Sequence, residues 1–204
     1  MLSKPEQEIL AYTQIKVKKL FANYDTPAHG IDHVLRVAAW AALISRKEKA
    51  DEFICRMAGL LHDVGRIKEA HERQGHKHHD MSYALCREFF RNDPVLKILP
   101  RRQKIELLYG VRYHWNNAAD KYFSAVILRD ADKLDCLGRI GLQRGLEFNK
   151  TDDELLQMFR YIPANIYYLG TQTAINLVKT TKMEKPLMDY EIKLLKKKIT
   201  KIEL

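Results

Sequence analysis

The 204 residues are 46% hydrophobic and 30% charged, which supports a buried core at the size of one ordinary domain and excludes collagen-like, mucin-like and disordered classes. Thirty-five Lys and Arg against 26 Asp and Glu leave a net charge of +9, a balance that attracts phosphates, nucleic acid or an anionic surface without choosing among them. The longest apolar stretches, such as Val37 to Ile44, fall far short of the ~20 residues a bilayer helix needs, and the opening Met1-Leu2-Ser3-Lys4-Pro5-Glu6 lacks the apolar centre of a secretory signal, so a cytoplasmic protein is expected.

Nearly every segment carries apolar residues three or four apart, and alternating β-branched runs are absent, so the expected fold is all-α, one domain over residues 1–204. Ser3, Pro5 and Glu6 predict the start of a first helix that runs through Ile9, Leu10, Ile15, Val17 and Leu20 to about Asn23. A second helix is predicted from Asp32 to Lys49. A third runs from Asp51 to Gly65, which can take the left-handed conformation that ends helices. Residues 66–77 read as a polar loop. Asp80 caps a fourth helix to Asn92, Pro94 to Pro100 forms a short helical turn, and Gln103 to Trp115 a fifth helix. A sixth spans Tyr122 to Glu147, and Asp152–Tyr168, Thr171–Thr181 and a Lys-rich C-terminal helix complete the chain. In that last helix Ile192, Leu194, Leu195, Ile199 and Ile202 mark an apolar side, while Lys193 through Lys201 suit a solvated face or a binding tail. Cys55, Cys86 and Cys136, odd in number and far apart, fit buried thiols in a reducing compartment rather than a disulfide frame.

His62-Asp63 follows the apolar run Met57-Ala58-Gly59-Leu60-Leu61, placing an imidazole and a carboxylate where a buried helix meets solvent. Two further pieces strengthen it: His33 in Asp32-His33-Val34-Leu35-Arg36-Val37, and Asp130-Ala131-Asp132-Lys133-Leu134-Asp135. Carboxylates among Val126, Ile127, Leu128, Leu134 and Leu137 are costly unless a cation or donor compensates them. A surface stripe paired with Arg129 and Lys133 explains the aspartates equally well. A Gly-rich phosphate loop, paired-Cys zinc spacing, a His-Glu-x-x-His helix and a nucleophile elbow are all missing.

With its flanking context, this pattern resembles the HD superfamily of metal-dependent phosphohydrolases, and the likeness covers about His29 to Arg144, Gly138 and Gly141 included. The resemblance implies an all-helical fold holding one divalent ion through His33, His62, Asp63 and Asp132. The duplicated Asp-Ala-Asp leaves Asp130 as the alternative last ligand. Two positions ~200° apart on a helix cannot share one ion from the same face. The resemblance favours Asp132, because the family's ligand lies directly after the small residue and before the basic one, which makes Asp130 a group that orients an imidazole or a water. Two nitrogens and two carboxylate oxygens suit Mn²⁺, Mg²⁺, Fe²⁺, Co²⁺ or Ni²⁺ with open positions better than a closed structural zinc site. Neutral imidazoles are required for binding, so activity is expected to fall below about pH 6.

Relatives with two metals carry His-His where this chain has Tyr113-His114, followed by a Gly-Tyr-Pro element that is missing here, so one ion per chain is expected. His78 and His114 are then assigned to phosphate contact or proton delivery, with His79 the register neighbour of His78. His71 and His76 read as exposed loop residues, and His29 as a support for the turn with Gly30. Arg66-Ile67 stands where the guanosine-polyphosphate hydrolases place Glu-Asp and the bacterial 5′-nucleotidases a Glu, which disfavours both activities. Arg66 is a candidate phosphate donor instead, with Lys133 and Arg36 as further candidates. Tyr161, Tyr167 and Tyr168, near Asn165, border a base-stacking pocket or simply pack. The expected function is hydrolysis of a nucleotide or related small phosphate compound, with no membrane partner and nucleic acid not favoured. The alternatives are an inactive polyanion-binding HD scaffold and a dinuclear cyclic-nucleotide phosphodiesterase.

Overall fold

A computed structural model describes residues 2–23, 28–69 and 77–202; His71 and His76 lie outside them. The described chain is all helix apart from turns and one short 3-10 segment, Leu96–Ile98, as the sequence predicts. No helix among the described residues is long and apolar enough to cross a membrane.

Three helices form the centre: α2 (Ile31–Lys47), α3 (Glu52–Leu61) and α7 (Phe123–Asp135), each in contact with the other two. α3 begins where the Asp51 carboxylate accepts from Ile54 N, and it buries almost its whole length, Phe53, Ile54, Met57 and Leu61 included. α2 lies so close to it that a Cβ on Gly59 would stand 2.6 Å from Ala38 Cα. α1 (Lys4–Phe21) starts at the predicted cap, with the Glu6 carboxylate accepting from Ser3 N–H at 2.7 Å, and lays Leu10, Val17 and Phe21 into the same core. α5 (His78–Asn92) and α6 (Arg101–Tyr113) pair with each other, and α6 also packs on α3 and α7. Behind α7, α8 (Gly138–Phe148), α9 (Asp152–Tyr167) and α11 (Lys185–Ile202) contact one another, while α10 (Gln172–Thr181) packs on α2 and α7.

Four expectations change. Residues 66–69 are not loop but a helical turn, α4 (Arg66–Glu69). α5 starts two residues before Asp80, with Lys77 as its cap, so His78 and His79 belong to its first turn. The predicted sixth helix is two: the chain breaks after Asp135, Gly138 takes φ +68°, and its N–H donates to Met183 O at 2.7 Å. Gly65 does not have the left-handed backbone expected of it. Its glycine identity answers to the closeness of α5, because Gly65 N–H donates to Ser82 Oγ at 2.8 Å and a Cβ would meet His78 O at 2.3 Å. Gly65→Ala is therefore expected to destabilise the fold by about 1–3 kcal/mol through displacement of α5, read as a lower urea midpoint. An unchanged midpoint would remove the steric account.

Candidate metal centre

Five helix termini bring chemistry to one point: His33 in the first turn of α2, His62 and Asp63 just after α3, His78 opening α5, His114 closing α6, and Asp132 in the last turn of α7. His33 Nε2 lies 3.3 Å from His62 Nε2, 3.4 Å from Asp132 Oδ1 and 3.7 Å from Asp63 Oδ2. On the other side of Asp63, its Oδ1 stands 3.5 Å from His78 Nε2 and 3.6 Å from His114 Nε2, which are 3.3 Å apart. The donors thus form two sets, His33, His62 and Asp132, and Asp63, His78 and His114, within 4.8 Å in each set, with Asp63 facing both.

The outer ring nitrogens fix which lone pairs point inward. His62 Nδ1 donates to Gly59 O at 2.8 Å and His114 Nδ1 to Val111 O at 2.7 Å, since a carbonyl can only accept. His33 Nδ1 donates to the Asp135 carboxylate at 2.7 Å. Neutral His33 and His62 then aim bare Nε2 lone pairs at each other across 3.3 Å, which is unfavourable unless a cation takes the space. Asp63 Oδ1, fully buried, has no hydrogen-bond partner among the described residues. Both observations fit a divalent ion, and nitrogen-plus-carboxylate donors suit the metals expected from the sequence.

Burial works to raise the Asp63 and Asp132 carboxyls, but the facing groups outweigh it: His62, Arg66, His114 and His78 hold Asp63 well below the ordinary range, and His33, His62 and His114 lower Asp132. Burial lowers two other rings in turn, His114 to about 4 and His78 to about 3. These two rings therefore stay neutral to a lower pH than ordinary histidines. In metal-free protein the unfolded chain takes up protons first as the pH falls below 6.5. The stability these two rings contribute is thus full above that value and lost toward about 4 and 3, at ~1.4 kcal/mol per unit for each. Urea midpoints of chelated protein are expected to fall between about pH 7.5 and 4.5; a flat profile would contradict the burial account.

Several sequence candidates sit elsewhere or do other work. Asp130 is not beside the imidazoles. It is fully buried on the opposite side of α7 and accepts from Thr171 N (2.7 Å), Thr171 Oγ (2.6 Å) and Gly170 N (2.9 Å), which ties α7 to the start of α10. The residue that orients an imidazole is Asp135, to which sequence reasoning assigned no role, although its place three residues after Asp132 puts both on one helix face. Arg36 is not turned toward a phosphate: its Nε and Nη2 clamp Asp135 at 2.7 and 3.0 Å. Arg144, also missed, donates to Asp135 Oδ2 at 2.8 Å and to Ala28 O at 2.7 Å. These partners outweigh burial and hold Asp135 at about 2. Lys133 reaches outward to Asn117 Oδ1. Arg66 does stand at the cluster, its Nε donating to Asp63 Oδ2 at 3.0 Å and its Nη2 3.4 Å from His78 Nε2. His79 turns away and stacks on Trp115.

His29 does more than support a turn. Its ring is 5.7 Å from those of both His33 and Phe148, so it stands between the cluster and a cavity of about 380 Å³ whose walls include Arg144, Phe148, Met158, Tyr161 and Asn165. Tyr161 and Asn165 thus meet at one cavity as the sequence suggested, whereas Tyr167 borders a different groove, between α9 and α11. The thiols are unpaired; Cys55 and Cys86 are buried, and burial raises all three, Cys136 to about 12.

A helical bundle that gathers a His, a His-Asp pair and a distant Asp from separate helices defines the class of the protein. The chain belongs to the HD domain family, whose sequence model matches residues 30–137. Among solved structures, it resembles the Bacillus subtilis protein YpgQ, crystallised in complex with ADP, at 20% identity and a TM-score of 0.69 over 98% of this chain and 100% of that one. The Lin1889 protein of Listeria innocua gives 19% identity and 0.69, covering 93% and 94%. A predicted HD superfamily hydrolase from an uncultured Thermotogales bacterium gives 25% and 0.61, covering 96% and 91%. No curated protein matches the sequence.

Proposed function

We propose that this chain is a metal-dependent phosphohydrolase that cleaves phosphoester or phosphoanhydride bonds of a nucleotide or related small phosphate compound. The observation that carries the reading is the opposed Nε2 lone pairs of His33 and His62 between the Asp63 and Asp132 carboxylates, a donor set that repels itself without a cation. When bound there, a divalent ion supplies Lewis acidity toward a phosphoryl oxygen and acidifies water. The protein's own groups do the rest. Arg66, at the rim, offers guanidinium N–H donors to phosphate oxygens. His78 or His114, neutral at working pH, takes a proton from the attacking water and passes it to the leaving oxygen. The cavity behind His29, with Phe148 and Tyr161 for stacking and the Asn165 amide for hydrogen bonding, takes the nucleoside; the ADP held by YpgQ supports a nucleotide.

A second reading has its own observation. Asp63 Oδ1 faces His78 and His114 without a hydrogen bond, which favours a second ion on that set and makes both histidines ligands rather than proton carriers. Metal content of purified protein separates the two, at one or two ions per chain. The function itself is tested by phosphate release over a nucleotide panel after chelation and return of Mn²⁺, Mg²⁺ or Co²⁺. Metal-restored turnover is expected. Salt-sensitive polyanion binding with no turnover under any metal would replace the enzyme by an inactive scaffold.

A further inference from the structure

α11 turns two apolar faces in different directions. Leu187 and Leu194 are buried against the rest of the chain and Tyr190 packs near Phe159, which satisfies the inner face. Beside it, Met188, Ile192, Leu195 and Ile199 are 52%, 49%, 44% and 56% exposed. Isolated exposed apolar residues are ordinary, but these follow a 4-3-4 spacing, the repeat of a two-helix seam. The stripe also continues an apolar groove of about 390 Å³ between α9 and α11, lined by Ile162, Ile166, Tyr167 and Met188.

The charges flanking the stripe identify what covers it. At 100° per residue, Asp189 and Lys196 fall on one flank and Glu191 and Lys198 on the other; apart from Lys185 at the start of the helix, the charges beside the stripe are acids in the first half and bases in the second. A lipid surface would favour bases throughout. An antiparallel second helix of the same sequence meets the pattern on both flanks, each acid facing a lysine of its partner. Parallel in-register pairing would set Glu191 against Lys196 of the other copy but bring Glu184 toward Asp189, so attraction on each flank is offset by repulsion. The present partners, Lys185 for Asp189 and Asp153 for Lys198, are exposed contacts that can exchange at little cost.

We infer that α11 is a homodimer interface in which two copies pair antiparallel about a point between Ile192 and Leu195, setting Met188 against Ile199 and Ile192 against Leu195 of the second copy. The inference uses no feature of the metal centre, so either can fail alone.

Sedimentation velocity between about 1 and 100 µM is expected to give the mass of two chains at the upper end. Leu195→Lys is expected to weaken association by at least about tenfold without moving the melting temperature, because that side chain is exposed in the single chain. An equimolar mixture of Met188→Cys and Ile199→Cys is expected to cross-link on oxidation, whereas wild type and Met188→Cys alone are not. A monomer at every concentration overturns the proposal, as does a dimer indifferent to Leu195→Lys. Cross-linking of Met188→Cys with itself overturns the antiparallel arrangement. A monomer that binds phosphatidylserine vesicles assigns the stripe to lipid instead.

Discussion

Asp63→Asn is expected to leave the helices in place and to abolish metal binding and hydrolysis together. The side chain keeps its shape but loses the negative charge that both donor sets share, with Oδ2 toward His33 and His62 and Oδ1 toward His78 and His114. Loss of an outer partner of a metal ligand already costs 10–100-fold in affinity, so the loss of this carboxylate should exceed ~100-fold. His62→Ala should act in the same direction by removing a buried Nε2. The check is metal content after gel filtration beside phosphate release from a nucleotide, with far-ultraviolet circular dichroism as the control for folding. A variant that kept its metal and its turnover would end the assignment of this cluster.

Asp135→Ala is expected to damage stability as well as the centre. The carboxylate is almost fully buried and accepts from His33, Arg36 and Arg144 at once. Its removal leaves two guanidinium groups without their shared anion and His33 without the acceptor that fixes its tautomer. Breaking one side of a buried ion pair costs about 3–5 kcal/mol, which for a chain of this length lowers the melting temperature by roughly 10 °C. Asp135→Asn should recover part of the stability, since an amide oxygen can still accept from His33, but less of the metal affinity. If Asp135→Ala melted like wild type, the contacts from His33, Arg36 and Arg144 would contribute nothing and the positioning role would fall.

The helical class and the main donor groups were legible because periodicity and helix caps are local signals. His33, His62, Asp63 and Asp132 each stand at a helix end, where a polar group interrupts an apolar pattern. The supporting groups were not legible, because their partners are remote in the chain. Arg36 could be recognised as a cation, but nothing near it reveals that Asp135 claims it from 99 residues away. Asp130 has the same difficulty, since its partners Gly170 and Thr171 lie in an element whose docking the sequence does not announce. Gly65 carries the sequence signal of its commonest use, the end of a helix, whereas a neighbouring backbone sets the requirement. On α11, spacing alone puts Leu194 with Ile192, Leu195 and Ile199 on one apolar side; the structure sends Leu194 inward and the other three outward.

Asp130 and Asp132 stand on opposite sides of one helix, the first gripping the start of α10 and the second turned toward His33. α7 is consequently locked in screw phase. A shift of one position along the chain would rotate every side chain by about 100° and strip both carboxylates of their partners in a single motion. An insertion or deletion anywhere between Phe123 and Asp130 should therefore be far less tolerated than any single replacement there. The backbone of this helix behaves as a keyed shaft, and its key is cut at both faces.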